Sequence, residues 1–466
     1  MRRPNILILY TDQQRWSALG ANGNREIQTP NLDRLAAEGV NFDRCFVQNP
    51  VCMPSRVSFL TGQYPSTLGI TQMGIPVPTD TATLPALLHS YGYHSANIGK
   101  LHFLPHANRD HRIPHPSYGF DHLEIADEPG CYPDAYRAWV GHHAPDQLDL
   151  VSLGLPPATS VWQKAIGTHD GIAHPSERFP IEAQAFRGRS DLTHSAFVAE
   201  QTIEFLRSQR DRTWLCIAGF YSPHSPWVAP RKFLDLYDPE RLSIPTFPPE
   251  VDAKRAGTDF DDAGLRTARH GYYAMISEVD HHVGRILSTL DELSLGEETI
   301  VVFTSDHGDW LGNHLKHGKG YPAPDVVSRV PLLIRWPRLA ASGRTVHGLV
   351  EALDIVPTLC DLMGMQVPPH LQGQSLASVL HGRADSTKRR SALTEQQGWK
   401  AIRTDRYRYL CESNGRESLW DVETDPDEYH NLADEPAFAS VVAEHRAEML
   451  RHLLESERGR TRIWPY

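Results

Sequence analysis

Short blocks of apolar residues alternate along this chain with stretches of helical periodicity. Residues 5–10 (NILILY), 94–99 (HSANIG), 213–220 (TWLCIAGF), 299–305 (TIVVFTS) and 330–337 (VPLLIRWP) read as strands. Helices fall between them. In TPNLDRLAAEG, residues 29–39, Thr29 stands at the N-cap, Pro30 at the first helical position and Gly39 just past the end. A second helix opens near Pro54 and stops by Gly62, and TATLPALLHSYGY (81–93) and residues 195–207 supply two more. A long amphipathic helix carries Ile276, Val279, Val283, Ile286, Leu287, Leu290 and Leu293 at spacings of three and four. Strands alternating with helices predict an α/β sheet covered on both faces.

Two regions break this pattern. Residues 104–190 are rich in Pro, Gly, His and aromatic side chains with little periodicity, and read as an irregular layer rimming a pocket. Beyond about residue 370, short alternating segments are punctuated by Asn414-Gly415 and Asp425-Pro426, and a helix over 437–454 follows. The expected division is a catalytic α/β domain over 1–370 and a small α+β subdomain over 371–466.

Composition narrows the function. The net charge of −11 argues against a nucleic-acid partner. No run reaches the ~18 apolar residues of a membrane span. The opening MRRPNILILY imitates a signal peptide, but its apolar run is shorter than the ~7–15 residues of a signal core. A cytoplasmic location is the expectation, and the six scattered cysteines are then thiols.

Candidate chemistry gathers at strand ends and one helix start, where open α/β sheets collect ligands. Asp12-Gln13 and Asp306-His307 each follow a strand. Together their oxygens suit Ca²⁺, Mg²⁺ or Mn²⁺, and the imidazole nitrogen tilts the set toward Mn²⁺. Taken alone, each pair is better accounted for by turn formation. Cys52 and Arg56 flank Pro54 in VCMPSRVSFLTG, so the cysteine lies near a helix N-terminus, where free N–H groups and the guanidinium attract anions. The four-residue interval with an internal proline fits poorly with a thiolate phosphatase loop. Lys100 and His102 in GKLHF, His224 in SPHSPW and Lys319 in KHGKG add potential cations.

In combination these pieces resemble the type I, formylglycine-dependent sulfatases of the alkaline-phosphatase-like superfamily. CMPSRVSFLTG matches the signature C-x-P-S-R followed by Leu-Thr-Gly, and NILILYTDQQ, GKLHF, FYSPHSPW, TSDHGDWLGNH, KHGKG and LWDVETDPDEYHNLA occur in the family's order. The resemblance implies a central mixed sheet covered by helices on both faces, plus a smaller C-terminal antiparallel sheet with a helix. It implies one divalent metal, usually Ca²⁺, on Asp12, Gln13, Asp306, His307 and position 52. Gln13 and His307 stand where many members carry Asp or Asn, so the resemblance leaves Mn²⁺ open. It further implies that dedicated machinery oxidises Cys52 to Cα-formylglycine.

The implied roles follow. Arg56 holds the formylglycine, Lys100 and Lys319 clamp the anion, His102 serves the formylglycine hydroxyls and His224 faces the leaving oxygen. One hydroxyl of the aldehyde hydrate, made more acidic by the metal, attacks sulfur. His224 or Lys319 protonates the departing alcohol. Loss of the second hydroxyl's proton then ejects sulfate, an exit that a serine or a thiol lacks.

The expected activity is hydrolysis of a small sulfate monoester of a sugar or aryl alcohol, with Tyr132, Trp139, His142, His143 and Trp162 as candidates for the leaving-group pocket. The nearest alternative is a phosphonate monoester or phosphodiester hydrolase of the same superfamily, which Asp12-Gln13 and Asp306-His307 resemble. Members of that branch tend to replace the Lys-x-His pair that is intact here at Lys100 and His102. A non-catalytic binding protein with the same fold is disfavoured because every expected polar position is filled.

Overall fold

The computed structural model describes residues 3–105, 111, 113–156, 159, 171–175 and 182–457. Among these residues, eight strands form a central sheet. From edge to edge they are Arg344–Val346, Val40–Phe42, Leu332–Arg335, Thr299–Ser305, Asn5–Thr11, Trp214–Gly219, His94–Gly99 and His122–Ile125. The run from Thr299–Ser305 to His122–Ile125 is parallel. Leu332–Arg335 lies antiparallel to both its neighbours, which makes the sheet mixed.

Asn5–Thr11, Trp214–Gly219 and Thr299–Ser305 are buried along their whole length. Parallel strands covered on both faces read as continuous apolar runs for this reason. Their alternate residues divide between two cores. Ile6, Ile8 and Tyr10 face a cluster that contains Val57, Phe59 and Leu60 of the helix Cys52–Thr61. Leu7 and Leu9 face the other, with Phe197 and Val198 of the helix His194–Ser208 and Val279, Val283 and Ile286 of the helix Asp262–Glu292.

That last helix begins well before the aliphatic stripe visible in the sequence. Asp261 caps it by accepting from Gly264 N–H. Its first half buries Ala268, Tyr272 and Tyr273 against Trp227, Phe233 and Tyr237, a stripe of small and aromatic residues that hid the periodicity. The reading of 104–190 as wholly irregular is likewise corrected. His122–Ile125 is the sheet's edge strand and Ala135–His143 is a helix capped by Asp134. The edge strand is only partly covered, so polar His122 and Glu124 occur in it and the apolar signal is lost.

A four-stranded antiparallel sheet, Ala392–Gln396, Trp399–Arg403, Tyr407–Glu412 and Glu417–Asp421 in that order, follows toward the C-terminus. The helix Ala439–Ser456 packs Val442 and Met449 onto its Leu393, Ile402, Tyr409 and Leu419. No helix among the described residues is long and apolar enough to cross a membrane.

Candidate active site

Asn5–Thr11 and Thr299–Ser305 are adjacent and parallel, with Thr11 opposite Ser305. Asp12 and Asp306 therefore leave the sheet side by side. Gln13 then turns the chain with φ 71°, and its N–H donates to Asp306 Oδ1 at 3.0 Å. The helix Cys52–Thr61 starts at Cys52, two residues earlier than its proline suggests, and is buried throughout. Ser55 Oγ donates to Asp306 O at 2.5 Å, and Arg56 Nε donates to Asp306 Oδ2 at 2.7 Å. Arg56 also reaches Asp12 Oδ2 at 3.4 Å and donates to Lys100 O at 3.1 Å. These contacts lock the helix start against both strand ends. Cys52 Sγ then lies 3.2 Å from His307 Nε2 and 3.7 Å from Asp12 Oδ1.

Asp12, Cys52, Asp306 and His307 each present a ligand atom within 4.8 Å of the others. The His307 Nδ1–H donates to Gly308 O at 2.8 Å, so the Nε2 lone pair faces the cluster. Gln13 completes the pattern. Its Nε2 is bonded to Asp309 Oδ2, while its Oε1 is buried without a hydrogen-bond partner. An orphaned buried acceptor beside two carboxylates is costly for a protein alone and suits a cation. Two carboxylates, an amide oxygen and one imidazole form a mostly oxygen donor set for a hard divalent ion. Asp309 was not singled out by the sequence reading. Its other oxygen accepts from Leu311 N–H at 2.6 Å and Gly318 N–H at 3.1 Å, which fixes which way the Gln13 amide faces.

The cations come from three loops. Gly99 has φ 90°, and a Cβ there would lie 2.1 Å from Gly219 O. Only glycine permits this approach, and it brings Lys100 Nζ to 2.8 Å from Asp12 Oδ2. His102 follows in a tight turn at φ 56° and is buried. Asp127, a second residue missing from the sequence reading, accepts from both Leu101 N–H at 2.9 Å and His102 N–H at 2.8 Å. On the far side of Cys52, Lys319 Nζ lies 2.5 Å from Sγ and 3.1 Å from His224 Nε2. His224 Nδ1–H donates to Ser225 O at 2.6 Å, which leaves Nε2 as the acceptor toward the Lys319 ammonium. Asp127 lies outside the quoted motifs and Asp309 inside TSDHGDWLGNH; each acts through backbone N–H groups or a neighbouring amide, which residue type alone does not reveal.

The charge states follow from burial and neighbours. Burial disfavours the Asp12 carboxylate, but Lys100, Lys319 and Arg56 outweigh it and hold its pKa well below the ordinary range. Burial, reinforced by Lys319, pushes His224 well below an ordinary histidine, so it is neutral. Lys319 is raised: burial opposes its charge, yet Cys52 and Asp12 favour it more. Burial, with Asp12 beside it, lifts the Cys52 thiol to about 12.

The leaving-group candidates separate. Tyr132 lines a cavity of about 340 Å³ together with Asp127, which holds the His102 turn. Trp139 and His143 instead line a cavity of about 470 Å³ with Arg189, Glu200 and Arg207, which contains none of the site residues. Trp139 packs on Phe197 with ring centroids 5.7 Å apart, and His142 is exposed. Both His142 and His143 fall in the last turn of their helix. Trp162 lies outside the described residues.

Comparison with known proteins agrees with this geometry. The Sulfatase family model matches residues 4–365, and the model for the C-terminal part of N-sulphoglucosamine sulphohydrolase matches residues 324–455. The ulvan-active sulfatase of Formosa agariphila is 29% identical over 470 residues, covering 97% of this chain and 81% of that protein. The arylsulfatase of Clostridium perfringens is 29% identical over 493 residues, covering 98% of this chain and 96% of that protein. Among solved structures, the phosphonate monoester hydrolase of Agrobacterium radiobacter superposes with a TM-score of 0.81 at 27% identity, covering 98% of this chain and 96% of that one.

Proposed function

The chain belongs to the sulfatase family, and from that premise we propose that it cleaves a small sugar or aryl sulfate with a formylglycine at position 52 and one divalent cation. It is a sulfuric ester hydrolase. The observation that carries the finer reading is the seat of Cys52. Its Sγ lies 3.7 Å from Asp12 Oδ1, 3.2 Å from His307 Nε2 and 2.5 Å from Lys319 Nζ, which in turn meets His224 Nε2 at 3.1 Å.

Asp12, Gln13, Asp306 and His307, with position 52, would hold the cation. The oxygen-rich set favours Ca²⁺, with Mn²⁺ as the ion that His307 would tolerate. When bound, the cation supplies Lewis-acid charge at the sulfate and lowers the pKa of the attacking hydroxyl. The aldehyde hydrate supplies two hydroxyls on one carbon, one to attack sulfur and one to release it. Cellular machinery that recognises the C-x-P-S-R motif would install the aldehyde.

The remaining work belongs to the chain's own side chains. Arg56 holds the start of its helix against both carboxylates, which fixes the nucleophile's position. Lys100 neutralises Asp12 at one edge and supplies positive charge for the bound anion. Lys319 Nζ and His224 Nε2, 3.1 Å apart, form the pair that delivers a proton to the leaving oxygen. His102, in the turn fixed by Asp127, is the base for the second hydroxyl.

The similarity to a phosphonate monoester hydrolase, together with Gln13 and His307, supports one second reading: hydrolysis of a phosphonate monoester or phosphodiester through the same nucleophile. The test is a direct comparison of 4-nitrophenyl sulfate with 4-nitrophenyl phenylphosphonate on the matured enzyme. A higher kcat/KM on the sulfate is expected. A clear preference for the phosphonate would replace the sulfatase reading with the second one.

A further inference from the structure

The stretch LWDVETDPDEYHNLA, residues 419–433, contributes no side chain to the cluster around Cys52, yet it grips the loop that does. Residues 310–325 carry Lys319. Before the lysine, Asn313 Nδ2 donates to Asp427 Oδ1 at 2.9 Å and His314 Nε2–H donates to Asp427 O at 2.7 Å. His314 N–H donates to the Tyr429 hydroxyl at 3.1 Å, and the two rings stack with centroids 4.1 Å apart at 14°. After the lysine, Asp325 N–H donates to Glu428 Oε1 at 2.8 Å. Glu428 is paired with the buried Arg408, whose Nη1 donates to Pro322 O at 3.0 Å. One turn of the C-terminal sheet thus holds both flanks of the Lys319 loop.

The loop needs holding. Leu311, His314, Leu315 and Ala323 all have positive φ, between 39° and 54°, a region that side-chain-bearing residues adopt only when their surroundings enforce it. Lys319 itself sits between Gly318 (φ 82°) and Gly320 (φ 100°), with nothing within 4 Å of where either Cβ would be. Gly318 is tied by its N–H to Asp309 Oδ1 and by its carbonyl to Trp310 N–H, so the lysine hangs from a strained loop held at Gly318 and on its two flanks. The ammonium is placed within hydrogen-bond reach of both Cys52 Sγ and His224 Nε2.

We propose that Asp427, Glu428 and Tyr429 are positioning residues for Lys319, so that the C-terminal sheet sets the geometry of proton delivery without touching the substrate. The proposal rests on the reading that the Lys319–His224 pair protonates the leaving oxygen. In that step the deprotonated hydroxyl oxygen at position 52 bonds to sulfur as the S–O bond to the alcohol breaks, the broken bond's electron pair stays on the alcohol oxygen, and that oxygen takes a proton from Lys319 Nζ, which is left as the neutral amine. A displaced ammonium harms this step most when the leaving group is a weak acid, and least when it departs readily without a proton.

The experiment uses the matured enzyme and a series of ring-substituted phenyl sulfates from 4-nitrophenyl to 4-methoxyphenyl. Tyr429→Ala and Asp427→Ala are expected to lower kcat at least tenfold more for the 4-methoxyphenyl ester than for the 4-nitrophenyl ester, with little change in KM. Lys319→Ala should do the same more severely, and Tyr429→Phe, which keeps the stack, should fall between Tyr429→Ala and wild type. A loss of the same factor on every ester would mean a smaller folded fraction and would overturn the proposal. Position is also read without catalysis, by mass mapping of lysine acylation. Lys319, half-buried in the wild type with its ammonium against Cys52 and His224, should react at least tenfold faster in Tyr429→Ala and Asp427→Ala; unchanged protection would overturn the proposal. A flat leaving-group dependence for Lys319→Ala itself would instead sink the proton-donor reading, while acylation would still decide whether the turn positions the lysine. Should Tyr429→Ala not fold, Tyr429→Phe and Asp427→Asn provide the same two readouts.

Discussion

Arg56 Nε donates to Asp306 Oδ2 at 2.7 Å, and neither side chain is exposed to solvent by more than 1%. The same guanidinium faces the Asp12 carboxylate at 3.4 Å and covers the Tyr10 ring at 4.7 Å. One cation therefore stands between two buried carboxylates that both face the candidate metal position. Removing it leaves two buried charges with less compensation than before.

Arg56→Ala should therefore destabilise the fold by an amount on the order of 3–5 kcal/mol, the usual cost of breaking a buried ion pair from one side. Added Ca²⁺ should return part of that loss, because a bound dication neutralises the same carboxylates. Denaturant midpoints with and without Ca²⁺ check both halves. A variant as stable as wild type in chelator would show that the pair does not hold the helix to the strand ends.

Asp309→Ala frees the Gln13 amide to rotate and removes the acceptor of Leu311 and Gly318 N–H. Cation affinity should fall about 10–100-fold, the usual effect of losing a group that orients a ligand. The rise of Tm with Ca²⁺ concentration measures it. Wild type treated with chelator should lose both activity and several degrees of Tm, and regain them on Ca²⁺ addition. An unchanged Ca²⁺ dependence in Asp309→Ala would exclude Gln13 from the metal's ligands.

Glu278 gives a pH prediction away from the site. Burial pushes its carboxyl up to about 7, against the hydrogen bond from Thr193 Oγ1, which favours the ionised form. The folded chain thus holds this proton to about pH 7, whereas the unfolded chain releases it near 4.5. Between those values the folded state binds more protons, so stability falls as pH rises, by about 3 kcal/mol at most. Glu278→Gln should remove that component, so the variant gains on wild type from pH 5 to pH 8. Parallel stability profiles for the two proteins would contradict it.

The legibility of this molecule divides by cause. Fully buried parallel strands such as Asn5–Thr11 and Thr299–Ser305 announce themselves, because both faces need apolar side chains. The first half of Asp262–Glu292 does not, since between Leu265 and Met275 its buried face is alanine, glycine and tyrosine. His122–Ile125 is obscured by its edge position. In the site, Asp12, Gln13, Cys52, Arg56, Lys100, Asp306, His307, His224 and Lys319 were all visible from strand ends and motifs, and the structure draws them together around Cys52. Asp127, Asp309 and the Asp427–Tyr429 turn were not, because each works on backbone groups or neighbouring side chains whose proximity is created only by folding. Among the aromatic leaving-group candidates, Trp139 has the right residue type but packs on a core, whereas Tyr132 lines a cavity with Asp127.

The state of residue 52 in active enzyme decides the matter. The peptide spanning residues 51–62 should be lighter by about 18 Da than its cysteine form, the mass change from thiol to aldehyde. Across preparations of differing conversion, kcat per chain should rise in proportion to the aldehyde fraction, and Cys52→Ala should be inactive. Full sulfate release by a preparation whose residue 52 is entirely unmodified cysteine would contradict the mechanism at its root.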